Sequence, residues 1–265
     1  MSAAVCASPA VRAALVRPLA RYSSKLTASL WAAWPAAVAL RAERGSVAVQ
    51  ARNRLQDLLA DLRAEDNEAE DVHNVPVATK LEWQAPLAVL QYPDPRLRAV
   101  NARIGVFDDS LRQLAEEMFE VMYQDDGVGL AAPQVGVNVR LMVFNEAGEK
   151  GKGEEIVLVN PQIINLGKSR NLFEEGCLSF PGIYADVERP SKVKIKAQDL
   201  NGRKFTISLS GFPARIFQHE YDHLDGRLFH DRMAPEVLAT VRQQLVDMEE
   251  AYLKANPEAQ VQRVA

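Results

Sequence analysis

Acidic residues are absent from the start of this 265-residue chain: the first is Glu43, whereas Arg12, Arg17, Arg21, Lys25 and Arg41 are spread among Ala, Ser, Val and Leu. That composition excludes an ordinary mixed-charge surface and reads as an organellar targeting leader, plastid ahead of mitochondrion. Long apolar runs are lacking too. The nearest approach to a membrane span, residues 26–40, falls short of about 20 residues and is broken by Pro35. A secretory signal is excluded because the apolar stretch arrives late rather than directly after a charged stub. Cysteine is scarce, with only Cys6 and Cys177. With Cys6 in the leader no internal disulfide can form, which leaves Cys177 as buried filler, nucleophile or ligand. Nor is there a cationic excess: Lys plus Arg number 31 against 35 Asp plus Glu, a net charge of −4. This argues against a general nucleic-acid binder, so neither sequence-specific nucleic-acid binding nor membrane insertion is expected.

What is present divides into three stretches. Residues 1–51 form the leader, and Val49-Gln50-Ala51 resembles a stromal cleavage site. Residues 52–85 read as a flexible linker. Within it Leu55, Leu58, Leu59 and Leu62 fall at the spacing of a short amphipathic helix, and residues 65–71 carry five acids in seven positions, a solvated run. Residues 86–265 form the folded domain. A short strand is expected over 87–92. Asp108-Asp109-Ser110 offers caps for a helix with the apolar stripe Leu111, Leu114, Met118, Val121 and Met122. Strands follow over 139–144 and 156–159, with another short strand before Cys177. Residues 187–198 and 204–209 alternate around Asn201-Gly202, a two-residue hairpin signal. A last helix, from about Pro235 to Ala255, puts Val237, Val241, Leu245 and Met248 on one face. Runs of strands with a few helices and no alternating βα units indicate an α+β fold.

The chemistry concentrates in residues 218–226, QHEYDHLDG, which contain H-E-x-x-H. On a helix His219 and His223 share a face one turn apart and can offer two imidazoles to one metal ion, with Glu220 beside them to handle a water proton. Pro213 suits the first turn of that helix, and Gly226 a stop. Two residues compete as third ligand. A metzincin-type site would need a histidine at position 229, where Phe229 stands; His230 falls one residue late and reads as exposed or capping. Cys177, in Glu175-Gly176-Cys177-Leu178-Ser179, would instead complete a three-ligand site with an open fourth position. A third stretch, GVGLAAPQ at 127–134, lacks the third glycine of a dinucleotide fingerprint and the Lys-Ser/Thr of a P-loop. Gly127 and Gly129 better suit close backbone approach to a ligand, and the Gln134 amide suits donation to a developing oxyanion.

Together GVGLAAPQ (127–134), EGCLS (175–179) and QHEYDHLDG (218–226) resemble the three signature motifs of peptide deformylase, in the family's order and separations. The likeness covers about residues 86–250, and residues 180–186 resemble the organellar, plant-type (type 1B-like) branch. The resemblance implies antiparallel β-sheets around a central helix that carries both histidines, followed by a C-terminal helix. It also implies that the amide cleaved is the N-formyl group of formyl-methionine on nascent organelle-encoded polypeptides, with release of formate. The organellar ribosome would then be a further partner.

In that chemistry one divalent ion on Cys177, His219 and His223 would lower a water's pKa towards about 7. Glu220 would act as general base and then return the proton to the leaving nitrogen. Gln134 and the Leu178 N–H would stabilise the oxyanion. Thiolate plus two imidazoles suits Zn²⁺ on geometry, whereas the family's usual Fe²⁺ makes iron the first choice. Val128, Gly129 and Phe217 would shape the methionine pocket, although plain core packing accounts for them equally well. Glu175 is assigned to substrate binding, or to holding an arginine or nearby backbone. Tyr184 stands where many bacterial relatives carry Arg. Two other classes remain: a zinc endopeptidase with a downstream ligand, and a non-enzymatic ribosome-associated relative, which would need a damaged site.

Overall fold

The computed structural model describes residues 75–264. The leader, the leucine helix of the linker and its acidic run lie outside the described residues. The described fold includes residues before Pro86, however. Strand β1 (Val77–Ala78) pairs in parallel with β2 (Arg103–Ile104), Leu81 is buried and the Trp83 indole donates to Glu117 at 3.0 Å. Residues 75–85 therefore belong to the fold and not to a linker. Their apolar side chains find the same core as the helix that follows.

That helix, α1 (Asp109–Gln124), starts where Asp108 accepts from the Ser110 N–H, satisfying one of the orphan donors of the first turn. Its apolar stripe is buried throughout. Strands β3 (Gly129–Ala131), β4 (Leu141–Phe144), β5 (Ile156–Leu166), β8 (Lys192–Gln198) and β9 (Lys204–Ser210) form a five-stranded antiparallel sheet in the order β3-β4-β5-β8-β9. Strands β6 (Arg170–Cys177) and β7 (Phe180–Pro190) form a separate hairpin. The partners β8 and β9 close the larger sheet. Helix α2 (Phe212–Leu224) crosses it, and α3 (Pro235–Ala255) packs beside β7.

Four sequence expectations change. Residues 87–92 are extended but lie outside every ladder; the Leu90 N–H donates to the Gln134 carbonyl (2.7 Å) and that of Tyr92 to the Ser179 carbonyl (2.9 Å). This segment ties the first motif to the second. Strand β5 does not stop at Val159: it runs through Asn160-Pro161 with a register shift between Val159 and Gln162, where Pro161 offers no N–H to the ladder, and a second between Ile163 and Asn165. Asn160 sits there at φ 51°, and its amide exchanges two hydrogen bonds with the Ile104 backbone, both 2.8 Å. The continuous strand 187–198 is broken at Ser191, and its halves join different sheets. The Asn201-Gly202 connection is five residues long, since Gln198 pairs with Lys204 and Asp199 accepts from the N–H groups of Asn201 and Arg203.

The two faces of the larger sheet bury different elements. Leu141, Val143 and Val159 meet α1 in one apolar cluster. Met142, Leu158, Val193, Ile195 and Leu209 meet α2 through Ala214, Ile216 and Phe217 in another. Ile216 and Phe217 are fully buried, each worth about 1.5–3 kcal/mol by area. They hold α2 on the sheet with its histidine face turned towards the hairpin.

Candidate metal centre and active site

Helix α2 is built to present its polar side chains inward. Gly211 precedes it at φ 66°, Pro213 lies in its first turn, and Gly226 follows it at φ 67°. A side chain at Gly226 would be strained by that φ and would also crowd the Arg98 carbonyl at 3.2 Å. One turn apart, the rings of His219 and His223 lie 5.3 Å between centroids. Cys177 ends β6 at a register shift in the hairpin, which brings its Sγ to 3.3 Å from His223 Nε2.

Ligand atoms of Cys177, His219 and His223 all lie within 4.8 Å of one another, and all three residues are buried. His219 Nε2 and both oxygens of Glu220 are buried without a hydrogen-bond partner. An orphaned buried polar atom costs about 1–3 kcal/mol, so several gathered at one point fit a site that takes a ligand. The donor set, one sulfur and two imidazoles, fits a divalent transition ion. His230 is not part of it. Contrary to the exposed or capping assignment, it is buried between Tyr92 and Phe180, with ring centroids at 4.9 and 5.6 Å, and Arg98 Nη2 lies 3.2 Å from its Nε2.

For the side chains alone, burial sets the protonation states. It pushes the Cys177 thiol up, with the charge of Glu220 adding. It drives the His223 pKa well down, with His219 adding. It also raises Glu220 well above the carboxylate range, against the opposing charge of Arg189. A cation among them would act against the first and third shifts, favouring thiolate and carboxylate.

Glu175 is 1% exposed, with no access for a substrate. Arg189 donates to both its oxygens (2.7 and 3.0 Å), Arg215 to one, and His219 Nδ1 lies 3.0 Å away. Burial raises its pKa, but the charge of Arg189 and the hydrogen bond from His219 outweigh that and hold it far below the usual range. With its Nδ1–H on a carboxylate, His219 is fixed in the tautomer whose Nε2 lone pair points at the metal position. Arg189 continues to Asp222 at 2.7 Å, and Asp222 to Arg232. Thus Glu175 positions a ligand instead of binding substrate.

Gln134 is fully buried. Its Oε1 accepts from the Ala131 N–H (2.8 Å), which turns Nε2 towards Cys177 Sγ at 3.7 Å and Ser179 Oγ at 3.4 Å. Gly129 lies against Glu220: a Cβ there would come within 2.7 Å of Oε1 and of Ile216. Gly129→Ala is therefore expected to displace the carboxylate and lower kcat by about ten- to a hundredfold, a loss consistent with misplacing a catalytic group by a fraction of an ångström. Thermal melting should change little if the neighbours yield. An unchanged kcat would show that the contact is slack.

A cleft of about 440 Å³ opens over Cys177, walled by Val89, Gln91, Leu178, Ile183 and Tyr184 with Asp125 on its lining. Val128 and Phe217 are buried in the apolar cluster under α2 and are not among the cleft-lining residues; packing accounts for both. Val89, Gln91 and Ile183 were not singled out from the sequence, nor were Arg189, Arg215 and Asp222. Spacing did hold one signal, because residues 215, 219 and 222 share a helical face.

The family model described as polypeptide deformylase matches residues 86–239. The chain is 55% identical over 225 residues to peptide deformylase 1B, chloroplastic, of Oryza sativa subsp. japonica, covering 85% of this chain and 83% of that one. It is 54% identical over 201 residues to peptide deformylase 1B, chloroplastic/mitochondrial, of Arabidopsis thaliana, covering 76% and 74%. A crystal structure of Arabidopsis thaliana peptide deformylase 1B in complex with an inhibitor superposes with a TM-score of 0.66 at 56% identity, covering 67% of this chain and 98% of that one.

Proposed function

The chain belongs to the polypeptide deformylase family, hydrolases that take the N-formyl group from nascent peptides, and on that premise we propose a metal-dependent reaction on formyl-methionyl polypeptides made inside a plastid. One divalent ion, Fe²⁺ by preference over Zn²⁺, would be held by Cys177, His219 and His223. The observation that carries this is the convergence of those three ligand atoms within 4.8 Å beside a carboxylate whose oxygens have no other partner.

When bound, the ion supplies Lewis acidity and lowers the pKa of a water. Glu220 takes the water's proton on a carboxylate oxygen, and the hydroxide carbon bond forms at the formyl group. Gln134 Nε2 and the Leu178 N–H would donate to the carbonyl oxygen as it gains charge; one such donor is worth about 3 kcal/mol of barrier. Glu220 then passes its proton to the leaving nitrogen as the C–N bond breaks, giving formate and a free amine. The apolar cleft wall of Val89, Leu178 and Ile183 would receive the methionine side chain.

Residues 1–51 supply the plastid address and 52–74 the bridge to the folded domain, and the relatives' chloroplastic names support that assignment. His230 contributes no ligand atom to the group formed by Cys177, His219 and His223, which weighs against a downstream-histidine endopeptidase. Two tests apply. Chelation of the anaerobically purified protein should abolish formate release, and Fe²⁺ should restore it better than Zn²⁺; activity that survives metal removal would overturn the metal assignment. A fluorescent protein carrying residues 1–51 should accumulate in plastids, whereas purely mitochondrial fluorescence would reverse the order of the two organelles.

A further inference from the structure

The five-stranded sheet is wider than its helical cover. On the face packed by α1, the apolar residues end at Val159. Beyond it the strands continue with polar side chains only on that face: Gln162 pairs with Lys196 and Asn165 with Lys194 between β5 and β8. Between β8 and β9, Lys192 pairs with Ser210, Lys194 with Ser208, Lys196 with Thr206 and Gln198 with Lys204. The alternate residues Val193, Ile195 and Ala197 point the other way into the core under α2. Lys192, Lys194, Lys196 and Lys204 are all exposed, and among the described residues none forms an ion pair. A shallow groove of about 330 Å³ lies at the Lys192 and Lys194 end of this row, lined also by Asn165, Gly167, Ser208 and Ser210 with Val193 and Leu209 at its floor.

We propose that this lysine and hydroxyl ladder is a docking surface for the phosphate backbone of double-helical RNA. Side chains two apart on a strand repeat at about 6.8 Å, so the three lysines of β8 form a straight row of point charges suited to successive phosphates. The hydroxyls of β9 add donors one strand away. Among the described residues the ladder positions paired across β5, β8 and β9 on this face carry no carboxylate, although the chain as a whole has a net charge of −4, so the positive charge is local. Among the described residues the ladder positions on this face carry no aromatic side chain to stack an unpaired base, and no exposed apolar side chain to enter a bilayer. Recognition must then be of backbone shape and charge rather than sequence. An enzyme whose substrates are nascent chains works beside ribosomal RNA, and a weak backbone contact would raise its concentration there. This step rests on the reading of the substrate as nascent peptide.

The test is fluorescence anisotropy of an end-labelled RNA duplex of about 20 base pairs with the metal-loaded full-length protein, titrated from about 50 to about 200 mM salt. Saturable binding is expected, with log K falling against log salt at a slope of about −3 to −4, the value for about four phosphate contacts. The triple variant K192Q/K194Q/K196Q should bind at least about tenfold more weakly and lose about three units of slope, while K192R/K194R/K196R should retain both. Formate release by the same samples should be unchanged, since none of these residues lines the cleft or touches the three ligands. Lack of saturable binding at low salt, or equal binding by the glutamine variant, would overturn the proposal. Lysine-dependent binding to phosphatidylglycerol vesicles without RNA binding would overturn it in favour of a membrane surface. Binding is read without turnover, so failure of the deformylase reading would register separately, as absent formate.

Discussion

Glu220→Gln should lower formate release by about a hundred- to ten-thousandfold, the range for losing a positioned general base, while the bound ion stays in place. The substitution keeps the shape of a fully buried side chain that packs against Gly129, so the fold has no reason to change. Stability gives the argument a second, independent arm. Burial raises the folded-state pKa of Glu220 well above its unfolded value. A group shifted in that direction contributes stability below its unfolded pKa, and the contribution is lost as pH rises through the folded one. Near neutral pH the metal-free fold therefore carries this carboxylate at a cost, and the metal-free Gln variant should unfold at the same denaturant concentration as the parent or a higher one. A variant that is both inactive and markedly less stable would show Glu220 to be structural.

Glu175→Gln should have the largest effect on the fold. The native carboxylate accepts from Arg189, Arg215 and His219 in a buried cluster. Removing its charge leaves Arg215 without a carboxylate partner and Arg189 with Asp222 alone, and breaking a buried pair in this way costs about 3–5 kcal/mol. His219 loses the partner that sets its tautomer, for which metal affinity should fall about ten- to a hundredfold. The pH dependence has a definite sign. The folded-state pKa of Glu175 lies below the unfolded value, so its contribution is complete above about pH 4.3 and drains away as pH falls below that. Denaturant titrations at neutral and acid pH should show the parent losing this contribution and the variant lacking it from the start. A variant as stable as the parent, with unchanged metal affinity, would reduce the network to incidental contacts.

What could be read from the chain was whatever depends on near neighbours in sequence. Asp108 as a cap, the α1 stripe, the α2 histidine pair and the span of α3 all follow from spacings of two to four residues, and each stands in the structure. The meeting of Cys177 with His219 and His223 was legible only as a candidate, from the scarcity of cysteine and the need for a third ligand, because the chain that joins them spans more than forty residues. For the same reason the sequence offered both a substrate and an arginine as partners of Glu175, and only the arginine reading stands. Its three partners lie 14, 40 and 44 residues away, and a buried glutamate looks like a surface one in sequence. Alternation ran smoothly across Ser191 because β7 and β8 share a period, though not a sheet. Residues 87–92 had a strand's composition but found their hydrogen bonds on two loops. The alternation read over 187–198 carries the β8 lysines on one face, but nothing local showed that the helix covering the rest of that face would stop before reaching them.

The most direct test of the central claim measures two quantities on full-length protein purified without oxygen: bound metal per chain, and formate released from formyl-Met-Ala-Ser, for the parent and for Cys177→Ser. The parent should carry one ion and release formate, and the variant should lose most of both together. A fully metallated parent that releases no formate, or a Cys177→Ser variant that keeps its ion and its full rate, would contradict the assignment of this site.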